Sequence, residues 1–182
     1  MGAAPCLEHV YGELKAFAKE SNLNLHLNQL TRKIISWGSH ADYPSGSWFK
    51  GADTVVINKF LEAKFTALLG SHDFGNNVGY IQQVDQCLRD ANDFMTSLYR
   101  AGLFITLKRL KHLVRVGQSM VKGYSQCANL AFRSNLARFK FNPKYHMLCH
   151  IIYSLTQELA ARRSKSEDRR NSNPGALQAS CW

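Results

Sequence analysis

The 182-residue chain has no run of eighteen apolar residues, so nothing in it predicts a membrane-spanning helix. Its first residues, MGAAPCLEHVYGEL, lack the basic stretch and apolar core of a secretory signal. They also miss the N-myristoylation pattern, because Cys6 stands where Ser or Thr is required. No Asn opens an N-x-Ser/Thr sequon, and the five cysteines (Cys6, Cys87, Cys127, Cys149, Cys181) include no closely spaced pair. These absences predict free thiols in a reducing compartment, hence an intracellular protein, cytoplasmic or nuclear, with no membrane partner.

Acids are scarce in one half only. Residues 100–182 contain three, Glu158, Glu167 and Asp168, against fifteen Lys and Arg, a net charge of +12. Residues 1–99 contain eight Lys and Arg against ten Asp and Glu, a net charge of −2. A split of this size predicts an anionic partner for the C-terminal half, either nucleic acid or an acidic protein.

Catalytic motifs are missing as well. Gly46 to Gly51 (GSWFKG) has the outer spacing of a phosphate-binding loop, but Ala52 and Asp53 follow where Lys and Ser/Thr are needed. No G-x-S-x-G elbow presents a nucleophile. Asp85, Asp90 and Asp93 read as the outer face of a long helix, not as paired catalytic carboxylates. His146 and His150, four apart, share a helix face in the manner of a metal-binding pair. Met147 replaces the Glu of a zincin, and no third ligand is identifiable. The pair flanks an apolar stretch (Met147, Leu148, Ile151, Ile152) and so reads as buried or interfacial hydrogen-bonding histidines. No catalytic residue, metal ligand or cofactor is assigned, and an enzyme is not predicted.

What is present is helical periodicity. Pro5 fits the start of a helix carrying Leu7, Val10, Leu14, Phe17 and Ala18 on one face, up to about Glu20. Residues 23–30 alternate apolar and polar, a strand-like pattern. Leu30, Ile34, Ile35 and Trp37 then predict a second helix from about Asn28, which leaves residues 23–27 ambiguous. An aromatic loop, Gly38 to Asp53, reads as a packed cap or a binding loop. Asp53 is a plausible N-cap for a helix closed by Gly70. A long helix from about Tyr80 to Arg100 follows, with Ile81, Val84, Leu88, Ala91, Met95 and Leu98 inward. After a break at Ala101–Gly102, Thr106 caps a basic helix with Leu107, Leu110, Leu113 or Val114, Gly117, Val121 and Tyr124 inward. Pro143 starts the last helix. The fold class is all-α: one helical domain, residues 1–161, a bundle of about six helices, with a disordered basic tail at 162–182.

Lys108, Lys111, Arg115 and Lys122 step at three, four and seven along the basic helix, so they share a face; Arg109 lies beside them. Arg133, Arg138, Lys140 and Lys144 follow, interleaved with Phe132, Phe139, Phe141 and Tyr145. Cations neutralise phosphates and interspersed aromatics stack on unpaired bases, so this stretch predicts nucleic-acid binding. The alternatives are a helical scaffold docking an acidic protein and a lysine-rich face that is merely solvated. The tail's ARRSKSEDRR also fits a nuclear-import patch. Residues 162–182 hold five of the fifteen cations, so the ordered part carries less charge than the total suggests.

Pro143, Lys144, His146, Leu148 and His150 form a P-K-x-H-x-L-x-H segment that resembles a recurrent piece of large eukaryotic proteins related to mobile elements. YPSGSWFKGADT, NPKYHMLCHI and NPGALQASCW together look like a group of uncharacterised protist-algal proteins, over about two-thirds of the chain. The first resemblance implies an accessory helical region or a decayed remnant, since the basic half lacks a transposase's trio of metal-binding carboxylates. The second implies a truncated copy of a chain that continues into acidic and then basic stretches. It brings no activity with it.

Overall fold

The computed structural model describes residues 3–39, Tyr43 and residues 51–171. Five α-helices account for most of them: α1 (Ala3–Glu20), α2 (Gly51–Ser71), α3 (Val78–Tyr99), α4 (Leu107–Arg133) and α5 (Pro143–Asn171). A single 3₁₀ turn, Gly75–Asn77, leads into α3, and no strand occurs among the described residues. Each helix packs mainly on its neighbours in sequence, so the chain runs up and down as a row of antiparallel helices.

The helix ends follow from local chemistry. The same tripeptide, Ser-Asn-Leu, stops both α1 (residues 21–23) and α4 (residues 134–136). Asn22 and Asn135 adopt left-handed φ values of 52° and 55°. The leucine N–H then reaches back to the carbonyl of Ala18 (2.8 Å) or Ala131 (2.9 Å), and the asparagine N–H to Lys19 or Phe132. This is a Schellman closure, with Asn in the place usually taken by glycine. Thr106 Oγ1 accepts the Arg109 N–H at 3.3 Å and caps α4. Gly102, at φ 69°, makes the predicted break before it. Asn142 Oδ1 accepts the Tyr145 N–H at 3.0 Å and opens α5 at Pro143.

Three expectations about elements change. The helix expected from Asn28 does not form: residues 23–30 are an extended strap, followed by one turn at 32–36. Leu23, Leu25 and Leu27 pack on the α1–α2 core while Asn24, His26 and Asn28 face out, so the period-two alternation is obeyed without a partner strand. Side chains hold its backbone instead. Asp53 Oδ1 accepts the His26 N–H at 2.7 Å, and the Tyr11 hydroxyl donates to the Leu27 carbonyl at 2.8 Å. Asp53 is accordingly not the N-cap of α2; it lies buried in the first turn, where its charge also suits the helix dipole. The last helix runs ten residues past its predicted end. Arg, Lys and Glu are good helix formers, and Arg162 pairs with Glu158 one turn back. Residues 172–182 of the expected tail, and residues 40–42 and 44–50 of the aromatic loop, lie outside the described residues.

Apolar burial is divided. One cluster joins α1, the strap and α2 around Leu14, Ala18, Val56 and Phe60. A second joins α3, α4 and α5 around Phe94, Leu113, Val116, Met120 and Ile152, and a third continues it through Leu110, Val114 and Leu159. None of these clusters spans α2 and α3, whose seam is polar. Asp85 takes Thr66 at 3.1 Å and Arg89 at 2.8 Å, and the Asn92 amide donates to Glu62 at 2.7 Å. On the other side of α3, Asp90 accepts the Ser119 hydroxyl at 2.6 Å. Asp85 and Asp90 are thus buried between helices, not on an outer face, whereas Asp93 is exposed as expected, in line with Gln82, Gln86 and Arg89. Leu98, expected inward, is exposed.

Candidate nucleic-acid interface

Helix α4 buries Leu110, Leu113, Val114, Gly117, Met120, Cys127 and Ala131 against its neighbours. Its opposite side is left to solvent. Lys108, Lys111, Arg115 and Lys122 are all exposed there, and the same three- and four-residue steps continue through Gln126 and Asn129 to Arg133. Arg133 therefore belongs to this row, although sequence reasoning placed it with the residues that follow. At 1.5 Å per residue, Lys108 to Arg133 spans about 37 Å along the axis. Gln118, Gln126 and Asn129 fill the gaps with neutral hydrogen-bonding groups. They carry no charge, so a search for cations passes them by.

Two of the predicted cations serve the fold. Arg109 Nη1 donates to the Arg100 carbonyl at 3.0 Å, pinning the turn before α4. Arg138 sits 5.7 Å from the Trp37 ring centroid, which Arg32 approaches at 5.4 Å. Trp37 thereby ties the end of the strap to the α4–α5 turn through cation–π contacts. Arg115 is in the row but also steered: its Nη2 donates to His112 Nδ1 at 3.1 Å, and His112 Nε2 faces Asp93 Oδ1 at 2.9 Å. A guanidinium only donates, so Nδ1 is the acceptor and the Nε2 proton points to Asp93. Lys140 and Lys144 are exposed at the start of α5.

The aromatics divide in the same way. Tyr124 stacks on Tyr145 with centroids 4.9 Å apart, and Phe139 meets both Tyr124 and Tyr80 edge-on. The Tyr124 hydroxyl donates to the Lys140 carbonyl at 3.0 Å, fixing the turn. Burial, followed by the neighbouring Tyr145, pushes the Tyr124 phenol up to about 12. These rings are structural. Phe132, by contrast, is 78% exposed at the end of the cationic row; Phe141 is 56% exposed, its ring also meeting Tyr145 at 5.0 Å and Tyr124 at 5.9 Å between centroids.

His146 and His150 do not lie in an apolar interface. Both are exposed, with Nε2 atoms 2.9 Å apart, so one ring donates to the other. Of the apolar residues around the pair, Leu148 and Ile152 pack on α4 with Leu155 and Leu159, while Met147 and Ile151 are exposed. Among the described residues no three His, Cys, Asp or Glu side chains converge as a metal site. Cys127 is fully buried, its thiol lowered by the hydrogen bond with Cys87, while the Cys87 thiol is pushed up by that bond and by burial.

No protein-family model, curated protein or solved structure matches the chain. No helix among the described residues is long and apolar enough to cross a membrane.

Proposed function

We propose that the chain is a nucleic-acid-binding module that contacts phosphates through the outward face of α4. The observation carrying this reading is the row Lys108, Lys111, Arg115, Lys122 and Arg133, exposed on one side of a single helix. The sequence has no Asp or Glu between Asp93 and Glu158, and Asp93 meets the row at Arg115 through His112. Exposed Phe132 and Phe141 favour unpaired strands, whose bases offer faces to stack on, over duplex.

The test is binding to mixed-sequence single strands and duplexes across a salt series. Five phosphate contacts on a single strand give a log–log salt slope of about −3.5. Charge reversal at Lys108, Lys111 and Arg115 removes three contacts, flattening the slope to about −1.4 and weakening binding at every sequence. Phe132→Ala with Phe141→Ala weakens single-strand binding by about 1–3 kcal/mol per stacked base and leaves the slope in place. Affinity no better than millimolar at low salt, or a triple variant that binds unchanged, overturns the proposal. Selective binding of acidic polypeptides without nucleic-acid affinity assigns the row to an acidic protein partner instead.

A further inference from the structure

The turn between α3 and α4 carries a second surface, of different chemistry. Leu103 is 96% and Phe104 89% exposed at its apex, and Tyr99 beside them is largely exposed. Two adjacent large apolar side chains held this far into water are unusual for a surface that meets only solvent.

The apex is a built feature, because the turn is pinned on both sides. Ala101 is buried and Ile105 packs against the α4–α5 core. The Arg100 carbonyl accepts from Arg109 Nη1 at 3.0 Å, and the Ile105 carbonyl accepts from Arg162 Nη1 at 2.6 Å. Thr106 caps the helix that follows. The two carbonyls that flank the apex, those of Arg100 and Ile105, are thus bonded to guanidinium groups, which makes its rim positive. Arg100, Lys108, Arg109 and Arg162 form that rim, and Glu158 is already paired with Arg162 at 2.6 Å.

The geometry points to peripheral insertion of this apex into an anionic lipid surface. Leu103 and Phe104 enter the boundary between headgroups and acyl chains, while Arg100, Lys108 and Arg109 rest among the phosphates. An apolar tip inside a cationic collar complements that interface, which is apolar below and negative above. The collar's like charge opposes a second copy of the same apex. Nucleic acid offers planar faces, which a leucine cannot stack on. Insertion of this kind needs no spanning helix.

Co-sedimentation with vesicles of phosphatidylcholine, alone or mixed with phosphatidylserine, tests the proposal on the full chain. Wild type pellets with the mixed vesicles and remains in solution with the neutral ones. Leu103→Ser with Phe104→Ser lowers partitioning by at least about a hundredfold, because both side chains lose their burial. Arg100→Glu with Lys108→Glu lowers it as well, whereas Arg115→Glu with Lys122→Glu leaves most of it. In Phe104→Trp the indole emission shifts to the blue on the mixed vesicles. The serine substitutions alter only exposed side chains, and unchanged far-UV circular dichroism establishes that the variant is folded. The serine variant also keeps its single-strand affinity, which separates this surface from the outward row of α4. Serine-variant pelleting equal to wild type reduces the binding to charge alone and overturns insertion. Equal binding to neutral vesicles, or none to either kind, overturns it too. A wild-type dimer that the serine variant dissolves assigns the apex to self-association and rejects the lipid reading.

Discussion

Replacing Gly117 with alanine adds one methyl group where α3, α4 and α5 meet. A Cβ built there lies 3.0 Å from Ile152 Cγ1, 3.1 Å from Phe94 Cε2 and 3.3 Å from Ile152 Cδ1. Comfortable carbon contacts are about 3.5–4.0 Å, so both neighbours must retreat by several tenths of an ångström. Neither has room, because Phe94 and Ile152 are buried in the same cluster. Overpacking of this kind costs about 1–3 kcal/mol. Alanine's higher helix propensity returns about 1 kcal/mol, leaving a net destabilisation of about 0–2 kcal/mol. Two other helical glycines act as controls. Gly12 is exposed with nothing within 4 Å, so its alanine variant is stabilised by about 1 kcal/mol. At Gly123 the nearest atoms are Gln83 Nε2 at 3.4 Å and Cys87 Cβ at 3.5 Å, ordinary contacts that predict a gain of about 0.5 kcal/mol. Urea unfolding followed by circular dichroism reads the three as midpoint shifts at constant slope. In thermal melts each kcal/mol moves the midpoint by about 2–4 °C for a chain of this size. A Gly117→Ala variant as stable as Gly12→Ala would refute the convergence of three helices on that glycine.

Asp53→Ala removes the acceptor of the His26 N–H and releases the strap. Limited proteolysis then cuts within residues 23–37 before any helix, and stability falls by about 1–2 kcal/mol; protection equal to wild type would sink this. Asn92→Asp places a second carboxylate against Glu62 in the α2–α3 seam, where the asparagine amide now donates. It costs roughly 3 kcal/mol at neutral pH, read by urea unfolding, and recovers on acidification; a pH-independent loss would contradict it. The Tyr124 phenol, raised to about 12, stays protonated in the fold while unfolded tyrosines ionise near 10. Its contribution is complete below about pH 10 and is lost as pH rises toward about 12. Melts over that range fall less steeply in Tyr124→Phe, and an unchanged steepness would reject the assignment.

The α4 surface was largely legible beforehand. Thr106, Gly102 and Pro143 punctuate the chain by rules that need no tertiary partner, and the shared face of Lys108, Lys111, Arg115 and Lys122 is arithmetic on 3.6 residues per turn. Arg109 and Arg138 belonged to the same charge count but were drawn away, one to a carbonyl and one to Trp37, a residue about a hundred positions distant. Composition does not distinguish a cation that faces solvent from one that braces a turn. Nothing in the local sequence marks Leu103 and Phe104 as exposed, because an apolar pair beside a helix start fits a core position equally well.

The sequence alone therefore determined that the chain is helical, where α4 and α5 begin, and which cations share one side of α4. Each depends on neighbours within a turn or two of chain. Tertiary structure decided the rest. Asp85 and Asp90 are buried because α2 and α4 supply Thr66 and Ser119 as partners, and a helix's own periodicity says nothing about how many of its sides are covered. Residues 23–30 are a strap, not a strand or helix, because Asp53 and Tyr11 bond its backbone from other elements. The apex at Leu103 and Phe104 stays in water because Arg109 and Arg162 hold the turn open from either side.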